Sequence, residues 1–277
     1  MFNQKTVPFK IFFTAMFILL GLFVLFPQIW MLNTAFKEQS KTFSVFWCFD
    51  AFTFENIINV TSDTRMIRYL LNSFLVAFSS SALATCVTAF AAFSFSKFRF
   101  WLRKPFLSMI MISQAFPSAV LLLSIYFMMR SLGLLDNYLS LVLAYTTFTL
   151  PVGTYTMKSF FDQVPDAIIE SGRIDGASTP TIMFRLVFPI AFPGIISIAI
   201  NAFVWAWNDL LYSLTLITSS AKRTLAPGLV LTYLGEFQSN WGEMMSASIV
   251  VSIPVAVIFL MLQKYFVAGL TSGAVKG

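Results

Sequence analysis

Long apolar segments alternate with short polar connections along the chain. A helix needs about 20 predominantly apolar residues to cross a bilayer, because each residue rises about 1.5 Å and the hydrocarbon layer is about 30 Å thick. Six segments meet this test, at residues 11–32, 70–95, 106–129, 138–157, 195–217 and 245–266. The pattern predicts an all-α integral membrane protein in which residues 1–277 form a single transmembrane domain with six transmembrane helices.

The composition supports a membrane location. The 277 residues are 58% hydrophobic and 11% charged, whereas about a quarter of the residues of a soluble protein are charged. The chain has no histidine and its two cysteines form no CxxC pair, so the sequence indicates neither a metal site nor a disulfide framework. The first apolar segment is too long for a signal peptide and lacks a small-residue cleavage site, so we expect it to remain as a helix.

Lysine and arginine residues orient the predicted helices, since the cytoplasmic loops of membrane proteins carry an excess of them. The connection between the second and third segments holds Lys97, Arg99, Arg103 and Lys104 and no acid. We therefore place this connection and both termini in the cytoplasm, which gives eleven bases inside and seven outside. With this orientation the formal net charge of +6 reflects membrane topology, and no nucleic-acid partner is expected.

Prolines fall within or near four of the predicted spans, at Pro27, Pro117, Pro151 and Pro254. Each proline removes a backbone donor and tends to kink a helix. In membranes, neighbouring helices or polar groups satisfy the carbonyls that are freed. Two interpretations therefore stay open, namely static packing and hinges at which these helices bend.

Residues 159–194 form the longest predicted cytoplasmic segment and differ from a plain connector. Pro165 suits the start of a short helix, and Gly176 is placed to end that helix in a left-handed cap. Thr179 followed by Pro180 indicates the start of a second helix. The sequence therefore predicts two short helices that meet in an elbow.

The charges of this segment bear on what it contacts. Together with Lys158 directly before it, the segment holds four acids and three bases, which are Asp162, Asp166, Glu170, Asp175, Lys158, Arg173 and Arg185. Helices that lie on a lipid surface are usually rich in lysine and arginine. One interpretation is an amphipathic connector on the lipid surface; the mixed charge favours the other, an elbow that docks on a protein.

The same segment resembles the coupling loop of permease subunits in bacterial binding-protein-dependent ABC importers. The resemblance lies in the sequence VPDAIIESGRIDGASTPTIMFRLVFP, where Glu170, Asp175, Gly176, Ala177 and Pro189 fall in register with the family signature. The sequence departs from the signature at Ser171 and Gly172, where the family usually has two alanines. Both residues are small, although glycine makes a helix less stable than alanine by up to about 1 kcal/mol.

Further motifs resemble the carbohydrate branch of this family, and in particular its smaller maltose-type permease subunit. They are residues 31–37, 207–209, 224–229, 241–247 and 269–277. The resemblance implies a protein of the bacterial cytoplasmic membrane that works with a second homologous permease subunit, two cytoplasmic ATPase subunits and an extracytoplasmic solute-binding protein. It also implies that ATP and magnesium are bound by the ATPase subunits and that this chain holds no cofactor. The sequence has no Gly-Lys pair of the kind that a phosphate-binding loop requires.

The resemblance assigns coupling to the ATPase to the elbow residues, which are Glu170, Ser171, Gly172, Asp175, Gly176, Ala177 and Ser178. They would sit in a groove on the ATPase, and ATP-driven closure of the ATPase pair would move the elbow as a lever. Glu170 or Asp175 would pair with a base of the ATPase. Ile168 and Ile169 would fill an apolar pocket on it.

A polar stripe on the fifth predicted span is our candidate translocation pathway. Asn201, Trp205, Asn208, Tyr212 and Thr215 recur there at helical spacing. Polar groups within hydrocarbon turn toward protein or water, and aromatic rings beside amide and hydroxyl groups suit a sugar. The alternative is that the two asparagines simply link neighbouring helices.

Other features have weaker signals. The fourth span has a second polar stripe, formed by Thr146, Thr149, Gly153 and Thr156, which Gln114 on the third span would join. Small residues at Ser73, Ala77, Ser80, Ala84, Thr88 and Ala91 of the second span indicate close helix packing rather than a binding face. By resemblance alone, residues 219–243 would touch the solute-binding protein, and the tail with Lys276 would reach the ATPases.

We expect a permease subunit of an ATP-driven importer, which moves a sugar, oligosaccharide or related polyol into the cytoplasm by alternating access and is not itself an enzyme. One alternative is a transporter half or channel subunit that runs on an ion gradient. Such a protein would bury titratable groups at mid-membrane, and Asp209 alone comes close. Another alternative is a membrane-embedded enzyme, for which the spans hold no histidine and no paired carboxylates.

Overall fold

The computed structural model describes residues 7–44, 52–235 and 239–274, with side chains described up to residue 263. Its helices are α1 (Val7–Ala35), α2 (Glu55–Ser62), α3 (Thr64–Lys97), α4 (Arg103–Ile112), α5 (Ser118–Ser131), α6 (Tyr138–Asp162), α7 (Asp166–Ile174), α8 (Thr179–Ile190, which contains a π-helical segment at Ile182–Val187), α9 (Phe192–Asn208), α10 (Leu211–Leu216), α11 (Leu225–Tyr233) and α12 (Trp241–Ala274). The described residues form no β-strand beyond two isolated backbone bridges. The predicted all-α class is confirmed.

Fewer helices than predicted are long and apolar enough to cross a membrane unaided. Within the described residues these are α1, α3 and the Trp241–Gln263 part of α12. Two bent pairs pass the same test together, and counting each pair as one span gives up to five. The fourth predicted span forms α6, which is less apolar than these helices because it holds many threonines and tyrosines. Eleven of its residues are buried within the protein. The number six therefore stays a prediction.

The prolines of the predicted spans differ in their effect on the helices. Pro27, Pro151 and Pro254 lie inside α1, α6 and α12. Pro117 instead breaks the third predicted span, because the helical residues Arg103–Ala115 meet α5 at an angle of 102°. The prediction of a kinked but continuous helix over residues 106–129 is wrong there. The choice between hinges and static packing stays open for the other three prolines.

The chain divides into two compact units, of which the first comprises residues 1–66 and 229–253. Its described part is organised around the end of α1, where Asn56 Nδ2 donates hydrogen bonds to the carbonyls of Ala35 (2.9 Å) and Lys37 (2.8 Å). Ser246 Oγ donates to the same Ala35 carbonyl at 3.3 Å. A Cβ on Gly242 would lie 2.6 Å from Asn56 Nδ2, so α12 begins directly against this amide.

The second unit comprises residues 67–228 and 254–277. Here α3 buries the predicted small-residue face, with Ala77, Ser80, Ala84 and Thr88 at most 2% exposed. A Cβ on Gly153 of α6 would lie 3.1 Å from the Thr88 side chain. The prediction of close packing along this face is confirmed, and Gly153 of the second polar stripe belongs to the packing.

The N-terminal part of α3 is bonded to the connection before α11. Asn72 Nδ2 donates hydrogen bonds to the carbonyls of Ala221 (3.0 Å) and Arg223 (2.9 Å). Ser73 Oγ accepts a hydrogen bond from the N–H of Leu225 at 2.6 Å, which satisfies one of the free donors at the start of α11. The residues from 221 to 225 are thus fixed to α3.

Asp136 fixes the connection between α5 and α6 to the connection after α10. Its Oδ1 accepts hydrogen bonds from the N–H groups of Thr218 (3.0 Å) and Ser219 (2.9 Å), and Lys222 Nζ lies 3.0 Å from Oδ2. The residue has a φ of 55°, an uncommon value for a non-glycine residue. The backbone N–H of Ser219, followed by its hydroxyl and Lys222, holds the pKa of Asp136 well below its ordinary value of 3.8.

Replacing Asp136 with asparagine is expected to destabilise the protein by about 1–3 kcal/mol, because hydrogen bonds to a charged group become neutral ones. A lowered folded-state pKa contributes stability that is full above the ordinary value of 3.8 and is lost as the pH falls through the lowered pKa. The difference in thermal midpoint between wild type and Asp136→Asn should therefore be constant from neutral pH down to about 4 and shrink below it. Glu55→Gln, at an exposed position of α2, is the control for the loss of one charge. A difference that grows on acidification would contradict this assignment.

Candidate functional site

The predicted elbow is present and both of its helix ends are capped. α7 follows Pro165 directly, and Gly176 has a φ of +76°, the left-handed conformation that the sequence predicts. The N–H of Ala177 donates to the carbonyl of Gly172 (2.9 Å) and the N–H of Gly176 donates to that of Arg173 (3.0 Å), which is the Schellman arrangement. Ser178 then caps α8, because its Oγ accepts a hydrogen bond from the N–H of Thr181 at 3.4 Å.

Gly172 lies where α7 packs against α8. A Cβ at this position would lie 2.8 Å from Leu186 Cδ1 and 3.2 Å from Ile182 Cγ1. The glycine therefore allows the two short helices to approach more closely than alanine would. The departure from the family signature that the sequence shows here has a packing consequence as well as the expected cost in helix stability.

The apolar side of α7 belongs to the core of the chain itself. Ile169 is 6% exposed and packs in a cluster with Phe161 of α6 and with Ile182 and Val187 of α8, and Ile168 is half-buried against it. The prediction that Ile169 fills a pocket on a partner is wrong, because this side chain is already buried. Ile174 is the isoleucine of α7 that is free, at 86% exposed.

Lys97 at the end of α3 holds the start of the elbow. Its Nζ donates hydrogen bonds to the carbonyl of Val164 (2.6 Å) and to Asp166 Oδ1 (2.8 Å), and the lysine side chain is 7% exposed. The bond from Lys97, with further attraction from Lys97 and Arg99, lowers the pKa of Asp166 below its usual value. The elbow is therefore attached to α3 as well as to α6.

Three charged groups of the elbow are exposed and free. Within the described part of the chain, Glu170, Arg173 and Asp175 make no ion pair and no side-chain hydrogen bond. Ile174 lies among them in sequence. An exposed apolar side chain flanked by unpaired charges, on a helix whose other side is buried, gives the elbow the composition of a docking surface. Ser171, Gly176 and Ser178 are exposed on the same segment.

The fifth predicted span is two helices. α9 ends at Asn208, Asp209 has extended backbone, and α10 begins at Leu211. Asp209 Oδ2 accepts a hydrogen bond from the N–H of Ser213, in the first turn of α10, at 3.0 Å. The prediction of one continuous helix over residues 195–217 is wrong, because the extended backbone of Asp209 interrupts the helix within an otherwise apolar run.

Three predicted pathway residues lie together beside this break. Asn201, Trp205 and Asn208 line an open concavity of about 430 Å³, together with Val204, Asp209, Leu210 and Leu211. Asn201 and Asn208 are exposed and Trp205 is half-buried. Asn208 Nδ2 donates to the carbonyl of Val204 at 2.8 Å, so its amide oxygen faces no partner in the described part of the chain. The surface offers amide groups beside an indole ring.

The break removes the other two members of the predicted stripe from this surface. Tyr212 is 1% exposed, its hydroxyl donates to the carbonyl of Ser118 at 2.5 Å, and its ring packs against Phe148. Thr215 is half-buried and its Oγ1 donates to the carbonyl of Leu211 at 2.7 Å. Helical spacing relates these residues to Asn208 only if the helix is continuous, and it is not. Neither of them lines the concavity.

The remaining candidates make local contacts. Thr149 is half-buried, and its Oγ1 donates to the carbonyl of Tyr145 within α6 at 3.0 Å. Gln114 is exposed at the break between α4 and α5, and its Nε2 donates to the carbonyl of Phe148 at 3.1 Å. Gln114 thereby links the break before Pro117 to α6, and neither residue reaches the concavity.

Sequence reasoning missed the residues behind the concavity. The hydroxyl of Tyr145 donates to Asp209 Oδ2 at 2.8 Å, and the rings of Tyr145 and Phe148 both lie 5.4 Å from Trp205. A signal was available for Asp209, because Asn208 and Asp209 interrupt the apolar run and both residue types are common at helix ends. Tyr145 and Phe148 gave none, since aromatic residues within a span usually indicate packing.

An all-helical membrane chain with an exposed elbow, and with a concavity lined by two amides, a carboxylate and an indole ring beside a broken span, has the features of a transport protein. Residues 66–272 match the family described as "Binding-protein-dependent transport system inner membrane component". The chain belongs to this family. The resemblance that the sequence motifs indicate is thereby confirmed, and the chain is a multi-pass permease subunit of the inner membrane rather than an ATPase.

Similar proteins cover nearly the whole chain. It is 35% identical to the sulfoquinovosyl glycerol transport system permease protein SmoH of Agrobacterium fabrum, over 91% of this chain and 89% of that protein. It is 31% identical to the trehalose transport system permease protein SugB of Mycobacterium tuberculosis, over 92% of this chain and 93% of that protein. A solved structure of a bacterial ABC transporter involved in the import of the acidic polysaccharide alginate has a TM-score of 0.79 at 22% identity, covering 95% of this chain and 99% of that chain. That likeness shows the permease fold.

Proposed function

We propose that this chain is one of two transmembrane subunits of an ATP-driven importer for a sugar, oligosaccharide or related polyol. A solute-binding protein delivers the solute from outside, two ATPase subunits bind ATP and magnesium, and the membrane subunits alternate between outward and inward access. Family membership supports the importer, and two relatives carry names of systems for a sugar derivative and for trehalose. Family membership also favours the importer over an ion-gradient transporter and over a membrane enzyme.

The observation that carries the proposal is the division of α7 into two sides. Ile169 holds one side within the protein core, and Glu170, Ile174 and Asp175 leave the other side exposed and unpaired. A helix that is fixed on one side and free on the other transmits a push without bending. We place Glu170, Ser171, Asp175, Gly176, Ala177 and Ser178 at the contact with the ATPase.

Gly172 and Ile174 modify the contact that the sequence predicts. Gly172 acts from within the elbow, since it sets the distance between α7 and α8. Ile174 takes the role of apolar anchor that the sequence assigns to Ile169, because Ile174 is the exposed residue. Apolar side chains at the centre of an interface and charged ones around it are typical of protein contacts.

The concavity beside α9 is the proposed solute contact of this subunit. Asn201 and Asn208 offer amide groups to hydroxyls, and Trp205 offers a ring face to the C–H surface of a sugar. The opening of the concavity is wide, which suits a site that the second permease subunit completes. Gln114, Thr149, Tyr212 and Thr215 support the walls of the pathway rather than its surface.

The proposed topology has six spans with both termini in the cytoplasm. Lys97, Arg99, Arg103 and Lys104 orient the connection after α3 toward the cytoplasm, and Lys97 holds α7 there too. α6, and the pair formed by α9 and α10, cross the membrane inside the bundle, where polar residues are shielded from lipid. Lys276 of the predicted tail contact lies outside the described residues.

Purification of the tagged chain from its native membrane tests the proposal. We expect a second permease subunit and ATPase subunits to purify with it, and the reconstituted complex to hydrolyse ATP faster when a solute-loaded binding protein is added. A panel of neutral and acidic sugars then names the solute. Purification of the chain without any ATPase would refute the proposal.

A further inference from the structure

Among the described residues that line the concavity, Asp209 is the one charged residue. It lies at the break between α9 and α10, directly after Asn208 and two residues before Leu211, which is 49% exposed on the same surface. No lysine or arginine of the described part of the chain joins this lining. A single carboxylate beside two amides and an indole ring gives this surface a negative potential.

The carboxylate is held in place by groups behind it. Tyr145 OH and the N–H of Ser213 both donate to Oδ2, at 2.8 Å and 3.0 Å. Tyr145 is itself held, because it is 1% exposed and its ring lies against Trp205. The N–H of Tyr212 is a further donor to this carboxylate. A carboxylate accepts about four hydrogen bonds, so acceptor capacity remains on Asp209 beyond these three.

We propose that Asp209 acts as a charge filter and a fixed hydrogen-bond acceptor for the solute, and that the concavity favours neutral polyhydroxylated solutes over anionic ones. The inference rests on the proposed transport function and narrows its substrate class. Solute hydroxyls donate to the carboxylate, and a sulfonate or carboxylate on the solute is repelled by it. Tyr145 is a positioning residue, since it acts through Asp209. The proposed solute thus differs in charge from the acidic polysaccharide named for the structural relative and from the sulfonated sugar named for SmoH.

The charge of the concavity can be measured without knowing the solute. The reporter is Leu211→Cys in a chain whose two cysteines, Cys48 and Cys86, are replaced by serine. Two methanethiosulfonate reagents of similar size are compared in the assembled complex, one with a trimethylammonium group and one with a sulfonate group. Each forms a disulfide with the cysteine thiolate and releases methanesulfinate. The ratio of the cationic to the anionic rate reports the local potential.

We expect Asp209→Asn to lower this ratio about fivefold, as the loss of one charge a few ångströms away in a partly hydrated site implies. Glu55→Gln, which removes one charge from an exposed position of α2 outside the lining of the concavity, should leave the ratio unchanged. An unchanged ratio in Asp209→Asn, or an equal fall in both variants, would overturn the proposal. A residue that only holds the break between two helices would not move the ratio.

A second measurement needs no variant at Asp209. In the reporter chain alone, the ratio of the cationic to the anionic rate should be about five times the ratio for free cysteine at low ionic strength. The two ratios should become nearly equal at about 1 M salt, where the screening length is about 3 Å. A ratio equal to that of free cysteine at low salt would also overturn the proposal. Since the reagents report charge whether or not the complex transports, a negative result here is separable from a failure of solute-stimulated ATP hydrolysis.

Discussion

Replacing Glu170 with lysine is expected to stop solute uptake by the assembled importer while the chain still inserts and folds. Glu170 is exposed on α7 and free of partners within the described residues, so the fold loses nothing. If the carboxylate pairs with a base of the ATPase, charge reversal costs about 2 kcal/mol or more, which weakens docking about thirtyfold. Uptake into proteoliposomes and ATPase co-purification measure the two consequences.

Gln163→Lys is the matched control for the Glu170 variant. It adds a base at an exposed position just before α7, outside the proposed contact. We expect this variant to transport normally. Normal uptake by Glu170→Lys, or an equal loss in both variants, would remove Glu170 from the coupling contact.

Gly176→Pro should abolish uptake by another route, because the φ of +76° at this position is closed to proline.

Replacing Gly194 with valine is expected to destabilise the fold by overpacking. Gly194 lies near the start of α9, and a Cβ there would lie 2.5 Å from two ring carbons of Phe160 on α6. A ring cannot give way as the end of a flexible chain can, so α6 and α9 must separate. Overpacking of this kind costs about 1–3 kcal/mol, or roughly 2–10 °C in the thermal midpoint of a chain of this size.

Gly21→Val provides the control for the Gly194 variant, since nothing lies within 4 Å of a Cβ on Gly21 of α1. Its midpoint should match that of the wild type. The double variant Gly194→Val with Phe160→Ala should recover part of the lost stability, because the added methyl groups then occupy the space of the ring. If Gly194→Val unfolds at the wild-type midpoint, the close approach of α6 to α9 is not required for the fold.

The elbow shows how far local chemistry predicts a fold. Gly176 and the Thr179–Pro180 pair mark helix ends through their own backbone preferences, so both ends were predictable. The need for a glycine at position 172 was not predictable, because it comes from Leu186, which packs against this position from another helix. Ile169 and Ile174 are chemically alike, and which one is buried depends on the direction in which α7 meets α6 and α8.

The candidate pathway depends more on contacts between residues distant in sequence than the elbow does. A stripe predicted from helical spacing holds as long as the helix does, which is why Asn201, Trp205 and Asn208 share a surface. Beyond Asn208 the stripe fails, since the extended backbone of Asp209 ends α9 and α10 begins as a separate helix at Leu211. The partner that fixes Asp209 is Tyr145, 64 residues away in sequence, and no pattern in a single sequence reports such a pairing.

Lys97 and Asn72 connect the two ends of α3 to other parts of the chain. At one end Lys97 bonds to the start of α7, and near the other end Asn72 and Ser73 bond to residues 221–225. The helix is unbroken between these two sets of bonds, over about 38 Å at 1.5 Å per residue. If the ATPase moves α7 as proposed, we expect α3 to carry this displacement along its length to residues 221–225. Docking of the ATPase at α7 and movement at the far end of α3 would then occur together rather than one after the other.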